Sequence, residues 1–339
     1  MIRRVENPPS PFMETHVEYE DAPSARLEVF EDHSQTILSR NDSPDVPFTW
    51  SVNPYRGCFH ACAYCYARPT HEYLGFGAGT DFERKIVVKR NAAQLLERAF
   101  RRPSWSGSRV CFSGNTDCYQ PLEKSLEITR SCLEVCLRFR NPVGIITKST
   151  IVRRDLTLLS ELHRRAGVAV VLSIPFLDPE MSLAIEPNAP PPAARLATLR
   201  ALSEAGVPVG VSLGPVIPGL NDAQIPGILE ACRAAGATWC GMIPVRLPGA
   251  AEDVFVSRLR ETLPEHAERV LNRVRRMRGG ALNSSRFGDR MRGQGPEWAA
   301  TVRMYKLSAK RLGFTAPPPA PQPSPFRVPG RGAQVGLFG

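Results

Sequence analysis

No run in this 339-residue chain approaches the ~18 consecutive apolar residues that a membrane helix needs. The first residues, Met1-Ile-Arg-Arg-Val-Glu, lack the apolar stretch of a secretory signal. Together these absences predict a cytoplasmic protein with reduced thiols and no membrane partner. They also argue against a disulfide framework for the nine cysteines. Acidic residues are in deficit, 33 against 43 Lys plus Arg, which leaves a net charge of +10. Hydrophobic residues make up 42% of the chain, enough to core one large domain or two ordinary ones.

Three cysteines stand close together in Asn53-Pro-Tyr-Arg-Gly-Cys58-Phe-His-Ala-Cys62-Ala-Tyr-Cys65-Tyr66. The spacing is C-x3-C-x2-C, and no second C-x2-C occurs anywhere in the chain. Iron–sulfur clusters are held by cysteine thiolates, and three ligands on a [4Fe–4S] cube leave one iron open. The loop resembles the cluster loop of radical S-adenosylmethionine (SAM) enzymes, down to the aromatic Tyr64 before the third cysteine. That resemblance implies a [4Fe–4S] cluster on Cys58, Cys62 and Cys65, with SAM chelated at the open iron. The competing reading is a structural zinc site with His60 or His71 as fourth ligand. Zinc sites usually come as two separated ligand pairs, so the spacing favours the cluster.

Around this loop the sequence alternates short β-like runs with amphipathic stretches, the pattern of parallel βα units. The runs are 48–52, 109–113, 143–147, 168–173, 207–213 and 238–245. The intervening helices are expected at 92–102, 122–139, 151–166, 191–205 and 222–235. Gly167, Gly206 and Gly236 each stand where a helix C-cap belongs. Six such units predict a partial (β/α)6 TIM-like barrel over residues 46–250. A C-terminal helical extension is expected at 251–315. Residues 1–45 read as weakly structured, and 316–339 as a proline-rich tail, its first part an extended linker.

Active sites of α/β barrels form at the carboxyl ends of the strands. The second run delivers Ser113, Asn115, Thr116 and Asp117, candidate acceptors for the SAM ammonium. Lys148 after the third run and Arg246 after the sixth are candidate cations for its carboxylate. Ser173 and Glu186 are candidates for the ribose. Cys118 and Tyr66 are candidate catalytic hydrogen donors, with Tyr119 as a further competitor.

Several segments together resemble the spore photoproduct lyase-like radical SAM family. They are Asn41-Asp-Ser-Pro-Asp-Val-Pro-Phe48, Asn53-Pro-Tyr-Arg-Gly-Cys58, Ala67-Arg-Pro-Thr-His-Glu-Tyr-Leu-Gly75, Thr116-Asp-Cys-Tyr-Gln-Pro121 and Ile146-Thr-Lys-Ser149. Pro215-Val-Ile-Pro-Gly-Leu-Asn-Asp222, Val245-Arg-Leu-Pro248 and Arg290-Met-Arg-Gly-Gln-Gly295 complete the set. The resemblance covers roughly residues 40–312. It implies radical chemistry started from SAM; the namesake enzyme splits a thymine dimer in DNA. There are departures. Cys118 replaces a usual proline, Pro175 and Phe176 replace two threonines, and Asn188 replaces an arginine near the SAM site. Gly114 stands where the namesake carries its hydrogen-donor cysteine.

Residues 264–311 hold 12 Lys plus Arg against 4 Asp plus Glu. Such a region is either a footprint for DNA or RNA backbones or an ordinary solvated helix surface. Substrates of three kinds remain open: nucleic acid, a protein or metabolite, or none in a zinc-stabilised binding protein. The radical readings require an external electron donor. Gln334-Val-Gly-Leu-Phe338 resembles peptides that dock on the DNA sliding clamp, with folding back onto the protein's own core as the alternative.

Overall fold

The apolar runs are strands. In the computed structural model, which describes residues 7–9, 12 and 26–330, six of them lie parallel and in chain order. They span Trp50–Val52, Val110–Phe112, Val143–Thr147, Val168–Ser173, Val209–Val216 and Trp239–Pro244. Leu38–Arg40 adds an antiparallel edge beside the first. Buried Val110, Phe112, Val143, Ile145, Val168, Val170, Leu172, Val209, Val211 and Leu213 fill the barrel and its helical jacket. Parallel strands need this composition because both faces are covered.

Helices 92–100, 128–139, 156–166, 192–204 and 225–234 make the crossovers. Gly167, Gly206 and Gly236 follow helices with left-handed φ, as expected of C-caps. The stretch expected as one helix over 122–139 is broken at Glu127, whose φ is 50°. The break has a local cause. The buried Glu123 carboxylate accepts from the amides of Thr129 and Arg130 and so starts a second helix. Three further helices, Ala251–Thr262, Pro264–Met277 and Pro296–Arg311, pack outside the barrel.

Residues 26–45 are more ordered than expected. Glu28–Glu31 pairs with Lys85–Val88, which also pairs with Tyr55–Arg56. Strands this short carry no readable period, and their partners in the sheet hold them. The proline-rich segment also departs from expectation. It lies on the barrel instead of leaving it. Thr315 bonds to Thr238, Arg109 donates to the carbonyls of Pro318 and Pro319, and Ser324 donates to Gly107. Phe326 packs on Phe100 and Phe139. Residues 315–328 thus strap the amino ends of the strands. Gln334–Phe338 lies outside the described residues. No described helix is long and apolar enough to cross a membrane.

Candidate active site

The cysteine loop leaves the first barrel strand and the short strand Tyr55–Arg56 at the carboxyl end of the barrel. Gly57 enters it with φ 76°, and a Cβ there would sit 2.9 Å from both the Phe82 carbonyl and the His71 ring. Only glycine fits. That approach lets the Cys58 amide donate to the Phe82 carbonyl at 2.9 Å. Arg68, fully buried, holds the rest. Its guanidinium donates to the carbonyls of Ala61, Cys62, Ala78 and Gly79 and pairs with buried Glu83 at 2.6 Å.

The three cysteines are free thiols, Cys58 and Cys62 buried and Cys65 half-buried. Burial pushes the Cys62 thiol up to about 12, against the pull of nearby Lys148. Among the described residues no three His, Cys, Asp or Glu gather as a single ion requires. A cube instead spreads its thiolates over separate irons. His60 Nδ1 lies 3.4 Å from Asp117, and His71 Nε2 lies 2.8 Å from the Lys85 carbonyl while its Nδ1 is buried without a partner. Three thiols on one short loop fit a cluster.

Beside the loop stands a buried charged group. Glu186 accepts from the Tyr64 phenol and pairs with Arg195, while Lys148 Nζ lies 4.0 Å away. Arg195 is 1% exposed and also donates to the carbonyls of Pro190 and Ser173. The sequence shows a cation missing at Asn188; the fold places Arg195 against Glu186, from a helix seven residues later. No motif flagged it. Lys148 is half-buried over the Tyr64 ring, 5.5 Å from its centre.

The expected cofactor residues fall into two groups. Ser113 accepts from the Cys118 amide, and Thr116 donates to the Tyr55 carbonyl. The Asp117 carboxylate accepts from the Thr147 hydroxyl and the Tyr119 and Lys148 amides, besides facing His60. Glu186 is taken by Tyr64 and Arg195. In the protein alone these four side chains brace one loop against another. The Lys148 ammonium, the Asn115 side-chain carboxamide and the Ser173 hydroxyl make no hydrogen bond among the described residues and remain available to a bound molecule, while the Asn115 backbone amide donates to Asn53.

The two hydrogen-donor candidates part in the same way. Cys118 is 1% exposed within the core, and burial pushes its thiol well up. Tyr119 is also buried, donating to Asp155. Tyr66 is 45% exposed; its phenol donates to the Gly114 carbonyl at 3.1 Å, and Arg246 lies over its ring. The Pro215–Asp222 motif is a brace as well. Asn221 accepts from Ile217 and donates to the carbonyls of Pro175 and Pro215.

A sequence model of the radical SAM superfamily matches residues 52–232. The chain belongs to the radical SAM superfamily. An uncharacterised protein of Mycobacterium tuberculosis is 40% identical over 233 residues, 68% of either chain. Another from Methanocaldococcus jannaschii is 27% identical over 201 residues, 59% of this chain and 72% of that one. In three dimensions the chain is similar to spore photoproduct lyase complexed with dinucleoside spore photoproduct. The TM-score is 0.59 at 16% identity, covering 85% of this chain and 80% of that one. A cysteine-to-serine variant of that lyase gives 0.60 at 16% identity, covering 90% and 87%. This likeness establishes the fold, a radical SAM partial barrel of the lyase type. The protein is thus an enzyme of the radical SAM superfamily.

Proposed function

We propose that this radical SAM enzyme acts on nucleic acid. Cys58, Cys62 and Cys65 would hold a [4Fe–4S] cluster, with SAM at the open iron. With one electron from an external donor, that pair would supply a 5′-deoxyadenosyl radical and release methionine. Lys148 would hold the SAM carboxylate, while Asn115 and Ser173 offer the ammonium and ribose their partners. Tyr66, at the exposed edge of the loop, is the better placed hydrogen donor; Cys118 packs in the core. The observation carrying this reading is the three-thiol loop at the carboxyl end of the barrel with Lys148 beside it.

Support for a nucleic-acid substrate comes from the basic C-terminal region and from the lyase-type fold, whose solved relative binds a dinucleoside. The helix Pro264–Met277 carries less free charge than its sequence suggests. Arg273 pairs with Asp222 and Glu297, Arg276 pairs with Glu297, and Arg278 is buried.

Anaerobic reconstitution with iron and sulfide tests the first half. The expected result is a brown protein with about four irons per chain, which cleaves SAM when reduced. A colourless protein binding one zinc ion refutes it. Incubation with DNA and RNA at low and high salt tests the second half. On single strands, log K should fall with log salt at about −0.7 per contacted phosphate. No binding of any nucleic acid at low salt turns the substrate to a protein or metabolite.

A further inference from the structure

Most arginines near the barrel mouth have a carboxylate, but two do not. Arg246 follows the sixth barrel strand, and its half-buried guanidinium lies 5.6 Å from the Tyr66 ring centre. Its one protein hydrogen bond among the described residues runs from Nη1 to the Met291 sulfur at 3.3 Å, a weak acceptor. Its buried Nε has no partner, and no carboxylate among the described residues lies within ion-pair distance. Arg278, 8% exposed, is next to it. It donates only to the carbonyls of Val245, Asp289 and Arg292, and its Nε is also buried without a partner. Arg290 does have an acid, Asp45 at 2.6 Å, and it also donates to the Ser43 hydroxyl.

Three guanidiniums thus share one carboxylate at one side of the mouth. Leaving a buried charge unpaired is costly, so an arrangement of this kind marks a place for a missing anion. The crowding is felt: burial, then Arg246, pull Arg278 down to about 10. Arg246 still has most of its five N–H donors free, and a planar fork matches two oxygens of a phosphate. The site is built and not incidental. Arg278 ties residues 289–292 to the end of the sixth strand, and the Leu247 amide donates to the Asn283 side-chain oxygen at 3.2 Å.

Resting on the reading of a nucleic-acid substrate, we infer that Arg246 is a phosphate clamp. It would grip one phosphodiester of the substrate strand so that the neighbouring nucleotide lies against Tyr66. Arg278 and Arg290 are positioning residues that hold the 286–292 segment and supply field. Chemistry selects a phosphate for two reasons. Three arginines face one carboxylate, and that carboxylate, Asp45, is already held by Arg290 and the Gly288 amide.

The test uses the full-length, reconstituted enzyme with SAM. Iron content and SAM binding are measured first, so that a failed cluster is seen separately from a failed clamp. A fluorescent single-stranded 12-nucleotide DNA and its RNA counterpart are the probes, read by anisotropy across a salt series, with inorganic phosphate as competitor. Arg246→Gln should weaken binding at least tenfold and make the salt slope shallower by about 0.7, one phosphate on a single strand. Arg246→Lys should fall between, since it keeps charge but loses the fork. Arg276→Gln, whose arginine is already paired, should change neither. Inorganic phosphate should compete with wild type and lose that effect on Arg246→Gln. Binding by both Arg246 variants equal to wild type overturns the clamp. So does a wild type that binds neither oligonucleotide nor phosphate. Phosphate bound through Arg246 without oligonucleotide binding keeps the anion site and moves its source to a phosphorylated small molecule.

Discussion

At the carboxyl ends of the barrel strands, buried charge is gathered against loops: Arg68 with Glu83, Arg195 with Glu186, Asp117 with His60. At the amino ends the closing material is a strap of prolines and one phenylalanine, joined mostly by backbone carbonyls and ring contacts. Loops that must hold a cluster and admit substrate cannot be fixed by apolar packing alone, because they have to present polar groups. Side chains that reach several carbonyls at once fix them instead. The amino end presents nothing, so area and shape suffice. Function and stability are accordingly separable between the two ends, which makes the difference testable.

The largest effect is expected at Arg68. Arg68→Leu removes six hydrogen bonds, three of them to the cysteine loop, and leaves Glu83 buried without its arginine. Breaking a buried pair in this way costs about 3–5 kcal/mol. Urea unfolding should show the loss, and iron content should fall with it. Full iron retention would mean that the cysteines hold their loop without the arginine, and that charge is not what organises this end.

Arg195 sharpens the same point with a double-mutant cycle. Arg195→Gln leaves Glu186 with only the more distant Lys148 and should cost about 3 kcal/mol. Glu186→Gln in that background should restore much of the loss, because the stranded charge is gone. Additive losses in unfolding midpoints would show that Arg195 acts through its carbonyl contacts and not through Glu186.

The strap provides the contrasting case. Phe326→Ala removes a half-buried ring from between Phe100 and Phe139, and should cost about 2–3 kcal/mol, less than a fully buried phenylalanine. Iron content and SAM cleavage should not change at temperatures where the variant is folded. Loss of SAM cleavage in the folded variant would show that the two ends are coupled.

Legibility in the sequence followed this same division. The six strands and the three cysteines were readable because a buried parallel strand is a continuous apolar run and the ligand spacing is local. Arg68, Arg195 and Arg278 were not. A buried arginine is spelled like a solvated one, and its partners come from other strands and loops. The partners of Asp117 and Glu186 were hidden for that reason: position in the barrel places a carboxylate near the mouth but does not say which protein groups hold it. Composition likewise counted Arg273 and Arg276 as free charge, which Asp222 and Glu297 in fact neutralise. The tail prolines read as an extended linker, and that reading does not tell whether a surface lies underneath.

The smallest effect concerns Asp117, and it is read by pH. Burial raises this carboxyl, but His60, the Lys148 amide and the Thr147 hydroxyl outweigh burial and bring it down from 3.8 to about 2. The folded state therefore holds the ionised form more tightly than the unfolded chain does. A depressed carboxyl contributes stability that is present above its unfolded value and is lost as pH falls through the folded one. The window is thus about pH 4 down to pH 2, with a contribution of at most about 2 kcal/mol. Asp117→Asn keeps the shape but cannot titrate. Compared with wild type, its stability should depend less steeply on pH across that window, while the curves run parallel between pH 5 and 7. A wild type and variant with the same slope below pH 4 would show that Asp117 is not charged in the folded protein. In that case the brace between the cysteine loop and the third strand would rest on neutral hydrogen bonds.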